Sequence, residues 1–396
     1  MKQQMKTILP YAISVYAGAA IMNMCTNLTG SVLSDIMTHY HMNLDRGGMM
    51  SFFQFLGGIA AILIAAGIAD RMKKPFLLML AFLLTALALL GIGVRPPVSL
   101  FMVLYLLLGA SLGLIDMNNN AVLSDLFHDS RDSALSVLHG ICGLGATLIP
   151  VITAVIGTGN WGTIYRSAAI IILIILVLHL FLYFRARKAI DSRSVPLQHA
   201  ETASGSAGSR EVFRNPAVWI GALSVICYGA AQGGITVWGV KYCKDIFADK
   251  SALACAMALS LYWFGTMIGR LSVGLVPALR AMKSRTLVTW GGIFAGIVLL
   301  PGVLGKSYGL LMAGIFLFGI LNAPTLPRII SLVADWYPHK TGLISGINCI
   351  SLYIGLAVIP LLMGVIGEFA GMKIMMLTPV VMTIVSGLFG MLLPRK

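Results

Sequence analysis

The sequence predicts an all-α polytopic membrane protein, with twelve transmembrane helices in two pseudo-symmetric six-helix bundles. Three observations carry that prediction. Of 396 residues, 58% are hydrophobic and only 11% charged, against about 25% charged in an ordinary soluble domain. The apolar residues gather into twelve runs, each close to the ~20 residues that cross a bilayer. The runs also fall into two sets of six, separated by the longest polar stretch of the chain. These proportions exclude an ordinary soluble enzyme and a disordered regulator.

The elements follow in order. The first run, 8–33, comes after Lys6 and shows no small-residue cleavage site, so it reads as a span and not as a cleaved leader. Asn23, Thr26 and Asn27 form a polar stripe on it, at i, i+3 and i+4. Span two, 47–69, carries Gln54 as an isolated amide. Spans three and four occupy 75–94 and 99–124, the latter with Asp116, Asn119 and Asn120. Span five, 133–157, starts beside Arg131 and contains His139; span six, 163–184, stops at Arg185. Span seven, 216–240, aligns Tyr228, Gln232 and Thr236, with Trp238 near the boundary, where a belt residue and a ligand platform fit equally well. Span eight, 252–276, has Tyr262 and Trp263, with Thr266 a turn later. Spans nine to twelve cover 286–304, 308–330, 342–366 and 373–393, with Asn322 in the tenth and Asn348 and Ser351 in the eleventh.

Between the sets, residues 185–214 are rich in serine, glycine and charge, as a flexible linker is. The expected organisation is therefore an N-terminal bundle at 1–184, a cytoplasmic linker at 185–214 and a C-terminal bundle at 215–396. A repeat supports it. Asp35 and Asp245, Gly109 and Gly319, Asp125 and Asp335, Gly145 and Gly355, and Pro150 and Pro360 are each separated by the same interval. One shared offset at these places points to a duplicated six-span unit.

The net charge of +14 is not the footprint of a nucleic-acid binder, because the basic residues sit in short clusters between the apolar runs. With the N-terminus inside, nineteen of the 28 Lys and Arg fall on the cytoplasmic side and eight outside, and Arg270 lies within a span. That bias puts both termini in the cytoplasm of a multi-pass protein of the cell's inner membrane. The six cysteines are dispersed, with no CxxC pair, and read as small buried residues. No phosphate loop, metal-ligand cluster or nucleophile–base arrangement is visible, so neither an enzyme nor an ATP-driven pump is expected, and no cofactor or metal. The expected partners are the lipid bilayer and a small-molecule solute, bound by a monomer.

Asp116 is the sharpest functional signal. It lies nine residues deeper than Asp125, about 13 Å at 1.5 Å per residue and so near the middle of a roughly 30 Å core. An intramembrane carboxylate is costly and is functional by default. His139 lies at a similar depth from Arg131 and is the expected partner for exchanging a coupling proton. Asn23, Asn27, Gln54, Asn119, Asn120, Tyr228, Gln232, Tyr262, Trp263, Asn322 and Asn348 are the candidate substrate-binding residues. Amides and hydroxyls can replace a sugar's hydrogen bonds to water, and aromatic faces can stack on its C–H surface.

Two motifs carry a family resemblance. Ala66-Gly67-Ile68-Ala69-Asp70-Arg71-Met72-Lys73-Lys74-Pro75 resembles the signature of the major facilitator superfamily in the loop after span two, matching at Ala69-Asp70-Arg71 and Lys74 and departing at Ala66, Lys73 and Pro75. Gly113-Leu114-Ile115-Asp116-Met117-Asn118-Asn119-Asn120, followed by Leu138-His139-Gly140, Gly143-Leu144-Gly145-Ala146 and Pro150, resembles the fucose-permease and sodium-dependent glucose-transporter branch. The resemblance covers essentially the whole chain and implies a sugar or related small polar solute. It also implies a gating role for Asp70, Arg71 and Lys74, the acid facing the positive end of a neighbouring helix.

The expected function is a secondary active transporter working by alternating access, as a proton symporter, with sodium as the alternative coupling ion. The competing reading is a proton-coupled exporter of drugs or metabolites. The 17 phenylalanines and 22 methionines fit its greasy pocket, and the amide-rich stripes argue against it.

Overall fold

The computed structural model describes residues 2–68, 73–191, 211–337 and 340–394. The described residues hold twelve helices long and apolar enough to cross a membrane, and no strand. Such all-helical architecture follows from the solvent, because a spanning backbone must satisfy its own hydrogen bonds. The first six long helices are α1 (Lys2–His39), α2 (Leu44–Ile68), α3 (Lys74–Gly93), α4 (Val98–Leu126), α5 (Arg131–Ile156) and α6 (Trp161–Asp191). The second six are α7 (Pro216–Ile246), α8 (Ala252–Leu275), α9 (Ser284–Leu304), α10 (Tyr308–Asn322), α11 (Thr341–Ala370) and α12 (Leu377–Leu392). A further helical segment, Thr325–Ala334, continues α10 beyond a turn at Ala323–Pro324.

Helices outrun the apolar stretches at several ends. α1 continues to His39, past Asp35, and stops where His41 takes a positive φ of 51°. α6 continues to Asp191, so the segment expected as linker from 185 begins as helix, and residues 211–214 are helical again. The extension carries Arg185, Arg187 and Lys188 on a helix whose last turn is tied by Arg187–Asp191 (3.7 Å, i,i+4) and by Lys73–Asp191 at 2.6 Å. Composition marked where the membrane ends, and helices do not have to end there.

The chain forms two compact units, Met1–Leu28 with Phe53–His199, and Thr29–Phe52 with Ala200–Lys396. The C-terminal end of α1 and the N-terminal end of α2 thus belong to the second unit, although the sequence places them with the first bundle. In that unit Gly30 lies against the Thr236 carbonyl and Gly48 against the backbone of Pro360 and Leu361. Ser51 Oγ donates to the Leu356 carbonyl at 3.1 Å, the Leu44 N–H donates to Glu368 at 3.2 Å, and Lys244 pairs with Asp35 at 3.4 Å.

Inside each unit the duplicated glycines mark equivalent crossings. Gly109 seats α4 on the Gln54 carbonyl of α2, and Gly319 seats α10 on the Tyr262 carbonyl of α8. Gly145 brings α5 onto the Ala20 carbonyl of α1, and Gly355 brings α11 onto the Ile226 carbonyl of α7. A side chain at any of these places would collide with backbone, and small residues are what let membrane helices approach so closely. Pro150 and Pro360 lie inside the paired helices α5 and α11. Away from these contacts, Ile170, Ile174, Val177, Phe181 and Phe184 form one exposed stripe on α6, the face expected against lipid.

Candidate functional site

In the first unit, α4 presents Asp116 half-buried. Among the described residues its carboxylate has neither ion pair nor hydrogen bond; its backbone carbonyl accepts the Asn120 amide at 2.8 Å. Asn120 is therefore spent on its own helix. Asn119 is buried, and both its Nδ2 and its Oδ1 lack a partner. Asn118 gives its amide to the Leu114 carbonyl at 2.8 Å and keeps Oδ1 unbonded. A buried amide without partners costs about 1–3 kcal/mol, so this turn of α4 has unmet hydrogen-bonding capacity beside an unpaired acid.

The structure shows no ion pair between Asp116 and His139, which is exposed on α5. It does bring the α1 stripe and Gln54 together: Gln54 is buried and its Nε2 donates to the Thr26 carbonyl at 3.2 Å. The half-buried Asn23 gives its carbonyl to the Asn27 amide at 2.9 Å.

Of the residues expected in gating, Asp70 and Arg71 lie outside the described residues. Lys74 reaches Asp125 at 2.7 Å, with side chains only 9% and 12% exposed, tying the start of α3 to the end of α4. In the sequence the acid of that pair served as a depth marker for Asp116 and as half of a repeat match, not as a partner for Lys74. Sequence reasoning also missed His179. It is fully buried on α6, its Nδ1 is 2.9 Å from Ser14 Oγ, and its ring packs 4.6 Å from Tyr11 and 5.6 Å from Phe82. A histidine inside an otherwise apolar span was the available signal.

In the second unit the candidates sit on four helices. Tyr228 on α7 is buried with its hydroxyl unbonded, one turn from the buried Gln232. Tyr262 on α8 is buried and packs edge-on against Trp263 at 5.2 Å. Asn322 at the end of α10 accepts from Thr383 at 3.2 Å and leaves Nδ2 unbonded. Asn348 on α11 donates to the Ile344 carbonyl at 2.8 Å and leaves Oδ1 unbonded. Arg270, absent from the expected site, lies on α8 within electrostatic reach of Tyr262, as does Tyr228. Trp238 is neither belt residue nor platform: it is fully buried, and its Nε1 donates to the Pro360 carbonyl at 3.0 Å.

Two cavities open on this unit away from those residues. One, of about 340 Å³, is lined by Lys241, Lys244, Asp245 and the C-terminal end of α1; the other, of about 470 Å³, by Lys283, Arg285 and Asp335. Neither touches a candidate residue. No cluster of metal-ligating side chains occurs among the described residues.

Comparison with known proteins agrees with this architecture. A family model described as Major Facilitator Superfamily matches residues 15–302. A Saccharomyces cerevisiae protein named Bypass of stop codon protein 6 is 23% identical over 386 residues, covering 89% of this chain and 76% of its own. A Brucella abortus glucose/galactose transporter is 22% identical over 267 residues, covering 67% of this chain and 64% of its own. Among solved structures, a bacterial homologue of the human lysosomal transporter Spinster, crystallised inward-facing and unoccupied, superposes with a TM-score of 0.76 at 14% identity, over 96% of each chain.

Proposed function

The chain belongs to the major facilitator superfamily, and from that premise we propose that it carries a sugar or related small polar solute across the membrane by alternating access, as a proton symporter. The observation that carries this reading is the Asp116 carboxylate, inside a span, beside the unpartnered amide of Asn119. A carboxylate at that depth costs about 2.5–3.5 kcal/mol on insertion scales. Protonation removes the charge, so the proton-loaded form crosses between the two access states more readily than the charged one. The amides and tyrosine hydroxyls supply the hydrogen bonds that a polyhydroxylated solute gives up on leaving water. The name of the Brucella relative supports the solute class.

The proton, with sodium as the alternative ion, the cytoplasmic placement of both termini, the inner membrane, the monomeric state and the division into bundles at 1–184 and 215–396 belong to the same proposal. The positive-inside bias supports the placement of the termini, and the shared offset supports the bundles.

The test uses purified protein in liposomes with a pH dye inside and a radiolabelled solute panel outside. Asp116→Asn, an uncharged mimic of the protonated acid, should lose gradient-driven accumulation while retaining solute exchange without a gradient. Accumulation at the wild-type rate by the folded variant would remove Asp116 from coupling.

A further inference from the structure

We infer that the solute carries a carboxylate, which Arg270 binds; this rests on the transporter reading above and narrows its substrate class to sugar acids or related hydroxy acids. Arg270 lies five residues inside the end of α8, with side chain half-buried. Its Nε is fully buried and unbonded, and the side chain has no ion pair or hydrogen bond among the described residues. Three other cations near span ends do have partners: Lys74 has Asp125, Lys244 has Asp35, and Arg328 has the carbonyls of Leu279 and Arg280. A guanidinium inside a membrane span calls for a counter-charge, and its planar fork matches a carboxylate in two parallel hydrogen bonds.

The surroundings suit a small hydroxylated acid. Arg270 is seven residues after Trp263, so the two lie on one side of α8, about 10 Å apart along its axis. The indole offers an apolar face for a carbon skeleton. Tyr262, within electrostatic reach of Arg270, is buried, and so is Tyr228, which lies within electrostatic reach of Tyr262 and has an unbonded hydroxyl.

Charge accounting points the same way. In the interior of the apolar stretches, away from their first and last turns, Asp116 is the acid and Arg270 the base that lack any partner among the described residues. In the empty carrier, Asp116 negative and Arg270 positive sum to zero. In the loaded carrier, protonated Asp116 is neutral, and the solute carboxylate cancels Arg270. Both forms that must change access state then cross without net charge. A neutral sugar with one proton would leave the loaded form at +1.

The full-length protein in liposomes decides this with matched pairs, glucose against glucuronate and gluconate, and galactose against galacturonate. The acids should bind at least tenfold more tightly than their neutral partners, about 1.4 kcal/mol. Their uptake should follow a pH gradient and show no current and no response to an imposed membrane potential. Arg270→Gln should lower acid affinity at least tenfold, to the level of the neutral sugar, and Arg270→Lys should recover part of it. The wild-type comparison stands even where a variant does not fold. Uptake of the neutral sugar at equal or better affinity, with a current, overturns the carboxylate inference and leaves the transporter reading intact. Folded protein that neither binds nor moves any member of either class overturns both.

Discussion

At the scale of single residues, the proposed site ranks its members by unmet hydrogen-bonding capacity and not by burial. Asn119 and Asn120 are adjacent on α4, and the sequence offers both as ligands. Asn120 is bonded to the Asp116 carbonyl, whereas the buried Asn119 has no partner at either end of its amide. Removing an unsatisfied amide forfeits no internal hydrogen bond, so Asn119→Ala should leave the melting temperature nearly unchanged while solute affinity falls about tenfold, the value of one well-placed hydrogen bond. Asn120→Ala should affect affinity much less. Paired thermal melts and counterflow assays check this; a large drop in melting temperature for Asn119→Ala would make the amide structural. The depth of Asp116 was legible because a carboxylate stands out in an apolar run. The position of His139 was not, since a count of residues gives depth along a helix but not the direction its face points. Arg270 was visible as a charge within a span, yet its lack of partners depends on which helices surround α8.

At the scale of elements, the twelve helices were legible from apolar runs, and their ends were not. α6 continues to Asp191 because Arg185, Arg187 and Lys188 are good helix formers and Asp191 ties the last turn to Lys73. The repeat was legible as paired glycines, and the structure gives each pair a physical meaning. Gly109 and Gly319 each press a helix onto a neighbour's carbonyl, whereas a Cβ on Gly140 or Gly346 meets nothing within 4 Å. Gly109→Ala and Gly319→Ala should therefore each destabilise by about 1–3 kcal/mol, the usual cost of overpacking. Gly140→Ala and Gly346→Ala should be neutral or stabilising by up to about 1 kcal/mol, since alanine is the better helix former. Melting in detergent separates the cases, and equal effects at all four positions would mean that the close crossings do not govern stability.

At the scale of the whole molecule, orientation is a property of the summed charge and not of any one helix. Nineteen Lys and Arg against eight is a bias spread over many connecting segments, and the rule it follows acts during insertion, before packing exists. The folded units therefore carry no memory of direction in their glycine crossings or polar stripes. The proposed direction therefore rests on sequence and not on tertiary contacts, in contrast to the pairing of Lys74 with Asp125, which needs the packing of α3 against α4. Arg280 and Lys306 are both exposed and flank α9, the first before its start and the second after its end. The native cysteines are buried or half-buried, so a new exposed thiol should dominate labelling. Lys306→Cys should react with a membrane-impermeant maleimide on intact cells, and Arg280→Cys only after permeabilisation. The reverse pattern would turn the molecule over and place both termini outside, and the proton gradient that drives uptake in the proposed mechanism would then have to enter from the opposite face.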